Sequence, residues 1–253
     1  MIISIITVCY NSAATIKDTL QSVAIQTYPS IEHLIVDGLS KDATMDVVRQ
    51  FPHVTHAVSE QDGGIYDAMN KGIAMATGNV IGFVNADDFY ASPDVLASVM
   101  QVFEDPTVEA CYGDLCYVKQ EETSSVVRYW RSFDFKPGLF LRGWCPPHPT
   151  FFVRKDVYER CGGFDLNYKI AADVELMMRF LEAQSVRSRY IPKILVNMRM
   201  GGTTNRSIKN VVNQNREIWR AFQKNGLKPS FGRFAIGKLL SRGKQFISRP
   251  QRV

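Results

Sequence analysis

Acidic residues follow the hydrophobic segments in the first hundred residues, at the points where strands are expected to end. They are Asp37, Glu60, Asp62, Asp87 and Asp88. Carboxylate oxygens are hard ligands that suit Mg²⁺ or Mn²⁺. A metal held by one or two carboxylates usually takes its remaining ligands from water and phosphate, and an acidic cleft without a cation is costly. The group therefore predicts a divalent metal that bridges to a diphosphate.

Each acid also has a structural interpretation of its own. Asp62 precedes Gly63 and Gly64 in a turn-like sequence, and Asp87 or Asp88 could cap the helix that follows. Any one acid is better explained in this way, whereas the whole set at one sheet edge is better explained by a ligand. Two common phosphate-binding loops are excluded, because the first turn TVCYNSAATI has no glycine and GxxxxGK[ST] is absent.

Alternating strand-like and helix-like patterns over residues 1–100 indicate how these acids are positioned. Strands are predicted at IISIITVCY, HLIVDG, HVTHAVSE and the run that ends at NADD, with helices between them and Ser40 as the cap of the second helix. This alternation predicts an α/β fold with a mostly parallel, Rossmann-like sheet, helices on both faces and ligands beyond the carboxyl ends of the strands. Farther on, VEACYGDLCYV and SVVRYWRSF predict a small antiparallel pair, and AADVELMMRFLEAQ predicts a helix.

The net charge of +5 is unevenly distributed along the chain. Residues 1–188 carry 15 Lys/Arg and 24 Asp/Glu, whereas residues 189–253 carry 15 Lys/Arg and a single acid, Glu217. An acidic body with a basic tail indicates an anionic partner surface.

A basic amphipathic segment is predicted near the end of the chain. A helical projection of residues 231–247, interrupted by Phe234, has an apolar side made of Ala235, Ile236, Leu239, Leu240, Phe246 and Ile247. Such a segment can lie on an anionic bilayer. Glycines weaken the helix, and a solvated basic helix is the alternative interpretation.

The amino-acid composition indicates the cellular compartment of the protein. Five cysteines without a C-x-x-C pair fit free thiols under reducing conditions, and 45% hydrophobic residues support a packed core. No run reaches the roughly 18 apolar residues that a membrane helix needs, and the short apolar start MIISIITV fits a first strand better than a signal peptide. We expect a cytoplasmic protein with peripheral contact at the inner face of the cell membrane through its basic tail.

Three stretches of the sequence resemble the family 2 glycosyltransferases, which have the GT-A fold. They are SIITVCYNSAATIKDTLQSVAIQTYPSIEHLIVDGLSKDAT, DGGIYDAMNKGIAMATGNVIGFVNADD and GGFDLNYKIAADVELMMRF. Each is moderately specific alone, and the three in this order are highly specific. The resemblance implies a GT-A catalytic domain over residues 1–205, with a nucleotide-sugar-binding half at 1–100 and an acceptor-side half at 101–205. A helical, basic extension would follow at 206–253.

The resemblance also implies roles for individual residues on the donor side. The nucleotide- and donor-binding residues would be Thr7, Tyr10, Asn11, Asp37, Asp62, Lys71 and Asp87. Asp37 would accept a hydrogen bond from the ring N–H of uracil or thymine, and Lys71 suits phosphate as a flexible point charge. The structural alternatives are that Thr7 is an ordinary strand residue and Lys71 a surface lysine.

The acidic pair takes the position of the D-x-D-type acids that approach ribose and metal in this family. Asp87 and Asp88 are both candidate ligands for Mg²⁺ or Mn²⁺, and Asp88 is favoured as the direct ligand. Asn85 occupies the first acid position of a strict D-x-D motif, so the pattern here is a variant.

Asp173 matches the position of the catalytic base of the family. A positioned carboxylate that removes the proton of an acceptor hydroxyl contributes roughly 10²–10⁴-fold to a rate. The alternative is an acid that complements the dipole of its helix, and Glu175 is the second choice for the base. The resemblance implies direct displacement with inversion of the anomeric configuration.

The segment WCPPHPTFFVRKD resembles the acceptor-side loop of the family. His148 would touch acceptor or phosphate, and Trp144 would stack on a sugar ring, although a lone histidine between prolines is more often structural. The Q-x-x-R-W motif of processive synthases is absent, which favours a single addition for each acceptor.

The resemblance as a whole implies an inverting, metal-dependent glycosyltransferase. It would move a sugar from a nucleotide-diphospho-sugar, with UDP or dTDP favoured, to a glycan or lipid-linked acceptor in cell-surface polysaccharide or lipopolysaccharide synthesis. One alternative is a nucleotide-sugar-binding relative without transfer activity. Another is a nucleic-acid binder, which only the basic tail supports, because the sequence has no nucleic-acid-binding motif.

Overall fold

A mixed β-sheet forms the centre of the computed structural model, which describes residues 1–201 and 208–247. The strands of the described part are β1 (Ile3–Cys9), β2 (Ile31–Asp37), β3 (Val54–Ser59), β4 (Val80–Phe83), β5 (Phe89–Tyr90), β6 (Ala110–Val118), β7 (Val126–Trp130), β8 (Phe152–Arg154) and β9 (Ser188–Arg199). Their order across the sheet is β3–β2–β1–β4–β8–β6–β9–β5, with β7 paired to β6.

The first half of the sheet is parallel, and its register aligns the ends of the strands. β1 pairs with β2 and β4, and β2 pairs with β3, all in parallel. Asp37 at the end of β2 lies opposite Cys9 on one side and Ser59 on the other. All seven residues of β1 are buried, as expected for a parallel strand covered on both faces.

Helices cover both faces of the sheet, as predicted. They are α1 (Ile16–Ala24), α2 (Thr44–Val48), α3 (Ile65–Met75), α4 (Val95–Val102), α5 (Lys155–Cys161), α6 (Ala172–Met178), α7 (Ile208–Lys224) and α8 (Phe231–Ile247). Met69 of α3 packs with Ile6 on one face, whereas Val99 of α4 packs with Ile5 on the other. A π-helical turn at Arg179–Ala183 extends α6, and 3₁₀ turns occur at Phe140–Arg142 and His148–Thr150.

Two local features differ from the sequence predictions. The antiparallel part exceeds the predicted β6–β7 pair, because β8 inserts between β4 and β6 antiparallel to both and β5 pairs antiparallel with β9. The second helix begins at Thr44 with Ala43 at its N-cap position, and Asp42, just before it, accepts the Thr44 N–H at 3.0 Å. The predicted cap, Ser40, bonds to Asp37 instead, because it lies in the turn that leaves β2.

The basic extension is helical, as predicted, and it packs into the main core. Ile218 and Phe222 of α7 and Phe234 of α8 are buried together with Met177 of α6. Phe234, which interrupts the apolar side of the predicted helix, is therefore the residue that anchors α8. The predicted boundary at residues 205 and 206 lies outside the described residues, as do residues 248–253.

Two glycines allow α8 to approach the body closely. A Cβ added to Gly237 would lie 1.9 Å from the carbonyl oxygen of Arg142, and one added to Gly143 would lie 2.7 Å from the carbonyl oxygen of Phe234. Gly143 also has a φ of 73°, which favours glycine. The glycines that weaken α8 as an isolated helix thus include one that its packing requires.

Candidate active site

Asp37 is fixed at the sheet edge by donors from its own chain. The side chain is fully buried and accepts hydrogen bonds from the Ser40 N–H at 2.9 Å and the Ser59 hydroxyl at 2.6 Å. The Ser40 hydroxyl also donates to it, and the Cys9 thiol lies 3.5 Å away. These bonds hold the turn after β2 in place, so Asp37 has a clear structural role in addition to its predicted contact with the nucleobase of the donor.

Three other predicted donor-side residues gather around that turn. A Cβ added to Gly38 would lie 2.5 Å from Oδ2 of Asp62 and 3.5 Å from the ring of Tyr10, so a side chain at this position would contact Tyr10 and displace Asp62. Asn11 has a φ of 49°, and its Oδ1 accepts the Lys41 N–H at 2.9 Å. Tyr10 is 59% exposed, which leaves a broad aromatic face available at the strand ends.

Thr7 and Lys71 are engaged with protein groups. Thr7 is fully buried, and its hydroxyl lies 3.0 Å from Nε2 of His33 inside the sheet layer. Lys71 donates to Glu60 and to the carbonyl of Gln61, both at 2.8 Å, and the hydrogen bond to Glu60 raises the pKa of Lys71. The structure therefore places Lys71 among the acids of the third strand end and places Thr7 beneath the surface.

The two adjacent aspartates have different environments, which bear on the predicted preference for Asp88 as the direct metal ligand. Asp88 is fully buried, and its oxygens accept the Arg199 N–H and the Asn85 amide, both at 3.2 Å. Burial, followed by the charge of Asp87, raises the pKa of Asp88 well above its usual range. Asp87 is only partly buried, so it is the acid with a side chain accessible to a ligand.

The oxygen atoms around Asp87 fit a hard divalent cation. Oδ1 of Asn85 is buried and has no hydrogen-bond partner in the described part of the chain. Burial also raises the pKa of Asp87, an effect that the charge of Arg199 partly offsets. Residues 1–201 and 208–247 contain no cluster of three or more His, Cys, Asp or Glu side chains arranged around a common point, so a metal here would need water and phosphate ligands as well.

Arg199 connects the acidic loop to the second half of the sheet and was not identified from the sequence. It is 5% exposed, donates to the carbonyl oxygen of Asp87 at 2.7 Å and pairs with Asp18. Its position depends on the antiparallel pairing of β5 with the end of β9, where Phe89 lies opposite Asn197. No local pattern in the sequence indicates this pairing.

Asp173 lies in the first turn of α6 and borders a cavity of about 200 Å³. Oδ1 of Asp173 accepts the Tyr66 hydroxyl at 3.1 Å, and the same hydroxyl lies 3.0 Å from the carbonyl oxygen of Ile170. Glu217 of α7 accepts the N–H groups of residues 169, 170 and 171 at 2.9–3.0 Å. Elements distant in sequence therefore hold the Asp173 carboxylate at the cavity wall.

Glu175, the second choice for the base, is excluded by its surroundings. Its side chain is fully buried and pairs with Arg179 at 3.1 Å and with Lys224 at 3.0 Å. A carboxylate that is paired with two cations and does not line the cavity cannot contact an acceptor hydroxyl there. Glu175 instead ties α6 to the end of α7.

The predicted acceptor-side loop lines the same cavity as Asp173. Trp144 is 6% exposed and packs against Phe133 and Phe140, so little of its ring remains for stacking on a sugar. His148 packs between Phe83 and Phe164, and burial lowers its pKa, an effect that the nearby Asp173 partly offsets. His148 is thus neutral at pH 7 and borders the cavity beside Asp173.

Known proteins resemble this chain in sequence and in fold. The family model described as Glycosyl transferase family 2 matches residues 4–162. The PGL/p-HBAD biosynthesis glycosyltransferase of Mycobacterium bovis is 32% identical over 208 residues, which cover 80% of this chain and 78% of that protein. An uncharacterized glycosyltransferase of Mycobacterium tuberculosis is 33% identical over 183 residues, 70% of this chain and 68% of that protein.

Solved structures share the fold. Staphylococcus aureus TarS 1-349 in complex with UDP has a TM-score of 0.66 at 18% identity, covering 94% of this chain and 68% of that chain. The mannosyltransferase PcManGT from Pyrobaculum calidifontis, in complex with GDP-Man and Mn²⁺, has a TM-score of 0.65 at 22% identity with the same coverage. These likenesses confirm the predicted GT-A fold. The matched family model and the curated relatives show that this chain is a transferase that belongs to glycosyl transferase family 2.

Proposed function

We propose that the protein is an inverting, divalent-metal-dependent glycosyltransferase. It moves one sugar from a nucleotide-diphospho-sugar, with a UDP- or dTDP-sugar favoured, to a hydroxyl of a glycan or lipid-linked acceptor in cell-surface polysaccharide or lipopolysaccharide synthesis. The observation that carries the proposal is the position of Asp173 on the wall of a cavity that Arg199 also borders, because Arg199 is bonded to the acidic loop.

The chemistry assigned to Asp173 is general-base catalysis. Its free oxygen takes the proton of the acceptor hydroxyl while the hydroxyl oxygen attacks the anomeric carbon and the nucleotide diphosphate leaves from the opposite face. The Tyr66 hydrogen bond keeps the carboxylate oriented during this step. Displacement from the opposite face gives inversion.

The donor is assigned to the strand ends, where Tyr10 and Asp62 flank Gly38. Asp87, with Asn85 beside it, would hold Mg²⁺ or Mn²⁺, and the bound cation would neutralise charge on the departing diphosphate. The UDP and GDP-Man complexes of the two structural relatives support a nucleotide-diphospho-sugar donor.

A donor panel tests the proposed function. We expect one of the UDP-, dTDP-, GDP- and CMP-sugars to raise the thermal unfolding temperature in the presence of Mn²⁺, and the shift to disappear in EDTA, because ligand binding to the folded state stabilises it. Release of nucleotide should increase when an acceptor is supplied. Stabilisation by a donor that EDTA does not change would contradict the metal dependence, and binding without turnover for any acceptor would favour a binding protein.

We also propose that α8 places the enzyme on the inner face of the cell membrane. The apolar side of α8 faces solvent, with Leu239 74% and Leu240 60% exposed and Ile236 and Phe246 beside them. A helix with an exposed apolar face in a basic segment is suited to the surface of an anionic bilayer. Ile247 of the predicted apolar side has a side chain outside the described ones. Within residues 1–201 and 208–247, none of the helices has the length and hydropathy required to cross a bilayer.

The membrane contact gives a separate prediction. The unaltered protein is expected to co-sediment with phosphatidylglycerol-containing vesicles, and the double substitution Leu239→Gln and Leu240→Gln is expected to abolish most of this binding because it places two polar side chains in the exposed apolar side of α8. Leu166→Gln, at a leucine that is 43% exposed outside α8, serves as the matched control. Equal sedimentation of all three proteins would refute the role of α8.

A further inference from the structure

The α8 side of the cavity carries a group of cations that the reaction proposed above does not use. Arg128, Lys238 and Arg242 line the cavity, with Asp173 as the acidic residue of the same lining. Lys238 donates to Oδ1 of Asn215 at 2.7 Å, and Arg128 donates to Oε1 of Gln245 at 2.6 Å. In the described part of the chain, none of the three cations has a carboxylate within ion-pair distance.

Three cations placed together at a partly buried cavity wall repel one another and are electrostatically unfavourable. Burial, followed by the charge of Arg242, lowers the pKa of Lys238 to about 8. Charged groups out of bulk water are usually paired with opposite charges, whereas here the partners are neutral: amides for Arg128 and Lys238, and aromatic rings that both cations also overlie. A neutral side chain at position 238 could keep the contact with Asn215, so packing alone does not require the lysine.

The helix that carries two of these cations turns its other side outward. Lys238 and Arg242 of α8 face the cavity, while Leu239 and Leu240 on the same helix are exposed. One helix therefore connects an apolar outer surface with a cationic inner wall. An acceptor with a hydrocarbon chain and a phosphate head group would meet both surfaces together.

We propose that Arg128, Lys238 and Arg242 form a subsite for the phosphate or diphosphate group of an amphiphilic acceptor. The inference rests on the proposed transferase function and names the chemical class of its acceptor. Two or three cations that surround a phosphate form charge-assisted hydrogen bonds with it. The diphosphate of the donor is the other possible source of the same chemistry, so both must be tested.

The test uses geranyl diphosphate as a water-soluble probe and isothermal titration calorimetry with the full chain, without donor or metal. We expect the unaltered protein to bind geranyl diphosphate and not geraniol. The double substitution Lys238→Gln and Arg242→Gln should weaken the binding by about tenfold or more, as expected for the loss of charged hydrogen bonds. Arg233→Gln is the matched control, because Arg233 lies on the exposed side of α8 and outside the cavity lining.

A parallel titration with UDP and Mn²⁺ identifies the source of the phosphate. Affinity for UDP should be the same in the unaltered protein and the double variant. A fall in UDP affinity without any binding of geranyl diphosphate would assign the cations to the donor and overturn the proposal, as would equal binding of geranyl diphosphate by both proteins. If the double variant has a lowered unfolding temperature, Lys238→Gln alone is compared in the same titrations.

The pH dependence supplies a second readout. Geranyl diphosphate affinity should fall between pH 7 and pH 9, because Lys238 loses its proton in this range, and Lys238→Arg should remove the fall. Lys238 donates to Asn215, and the titratable and charged groups that line the cavity with it are Tyr117, Arg128, Cys145, His148, Asp173, Arg199 and Arg242. Burial raises the pKa of Cys145 to about 12 and lowers that of His148, so neither thiol nor imidazole changes charge between pH 7 and pH 9. An affinity that stays constant across this range would overturn the role of Lys238.

The two proposals can fail separately. If the donor panel gives no binding and no transfer while geranyl diphosphate still requires Lys238 and Arg242, the transferase proposal is overturned and the phosphate subsite is supported. If transfer occurs and geranyl diphosphate does not bind, the subsite is overturned and the transferase proposal stands.

Discussion

Substitution of Asp173 by asparagine is expected to reduce sugar transfer by roughly 10²–10⁴-fold without changing the affinity for the nucleotide. Asparagine has the same shape and can still accept the Tyr66 hydrogen bond through its amide oxygen, so the local structure should persist. It cannot take a proton from the acceptor. The rate of nucleotide release with acceptor and the dissociation constant of UDP with Mn²⁺ would be measured for the same preparation.

A matched control separates catalysis from the helix dipole. Asp156 occupies the first turn of α5 in the same way that Asp173 occupies that of α6, and it does not line the cavity. If Asp173 served only the dipole, both substitutions by asparagine would cost about 0.3–1 kcal/mol of stability and leave the rate unchanged. Equal rates for the Asp173→Asn and Asp156→Asn proteins would therefore disprove the base assignment, and so would loss of nucleotide binding in the former.

The second large effect is expected at the acidic pair, where the same substitution should have different consequences at adjacent positions. Asp87→Ala should abolish the Mn²⁺-dependent part of donor binding and of transfer, with little effect on unfolding, because Asp87 is the accessible carboxylate. Asp88→Ala should lower the free energy of unfolding by about 1–3 kcal/mol, because it leaves the buried Arg199 N–H without an acceptor. Nucleotide affinity with Mn²⁺ or with EDTA and thermal unfolding would be measured for both variants.

The opposite pattern would restore the preference derived from the sequence. If Asp88→Ala removes the Mn²⁺ dependence while Asp87→Ala retains it, Asp88 is the direct ligand despite its burial. Below saturating Mn²⁺, the two variants should differ most clearly, since the bound fraction then follows the intrinsic metal affinity.

The donor side of the site could be anticipated from the sequence because it depends on local patterns. Parallel strands place their carboxyl ends at one edge, so an acid at the end of a predicted strand can be placed there without knowledge of long-range contacts. Asp37 and Asp62 lie at that edge, as the strand pattern indicated. What the pattern does not contain is the direction of a side chain in an irregular loop, so the strand pattern gave no support to the ranking of Asp88 above Asp87.

The acceptor side depended on contacts between distant segments. Tyr66 reaches Asp173 across 107 residues, and Arg199 reaches the acidic loop across 112. For α8, a helical projection correctly separated an apolar side from a polar one. The projection could not show that the polar side would face the protein. The contact of Gly237 with Arg142 joins segments distant in sequence, and hydrophobic periodicity contains no information about such contacts.

The hydrogen bonds that the Glu217 carboxylate accepts indicate how much of the chain is needed to position Asp173. The similarity to the family model stops at residue 162, before Asp173, and the N–H groups ahead of Asp173 are held by a side chain another 44 positions along the chain. The family model therefore covers the part of the chain proposed to bind the nucleotide, whereas hydrogen bonding marks the part that must be present for Asp173 to be held. A chain cut where the family model ends would retain the proposed donor cleft and lose both Asp173 and the Glu217 side chain that supports its helix.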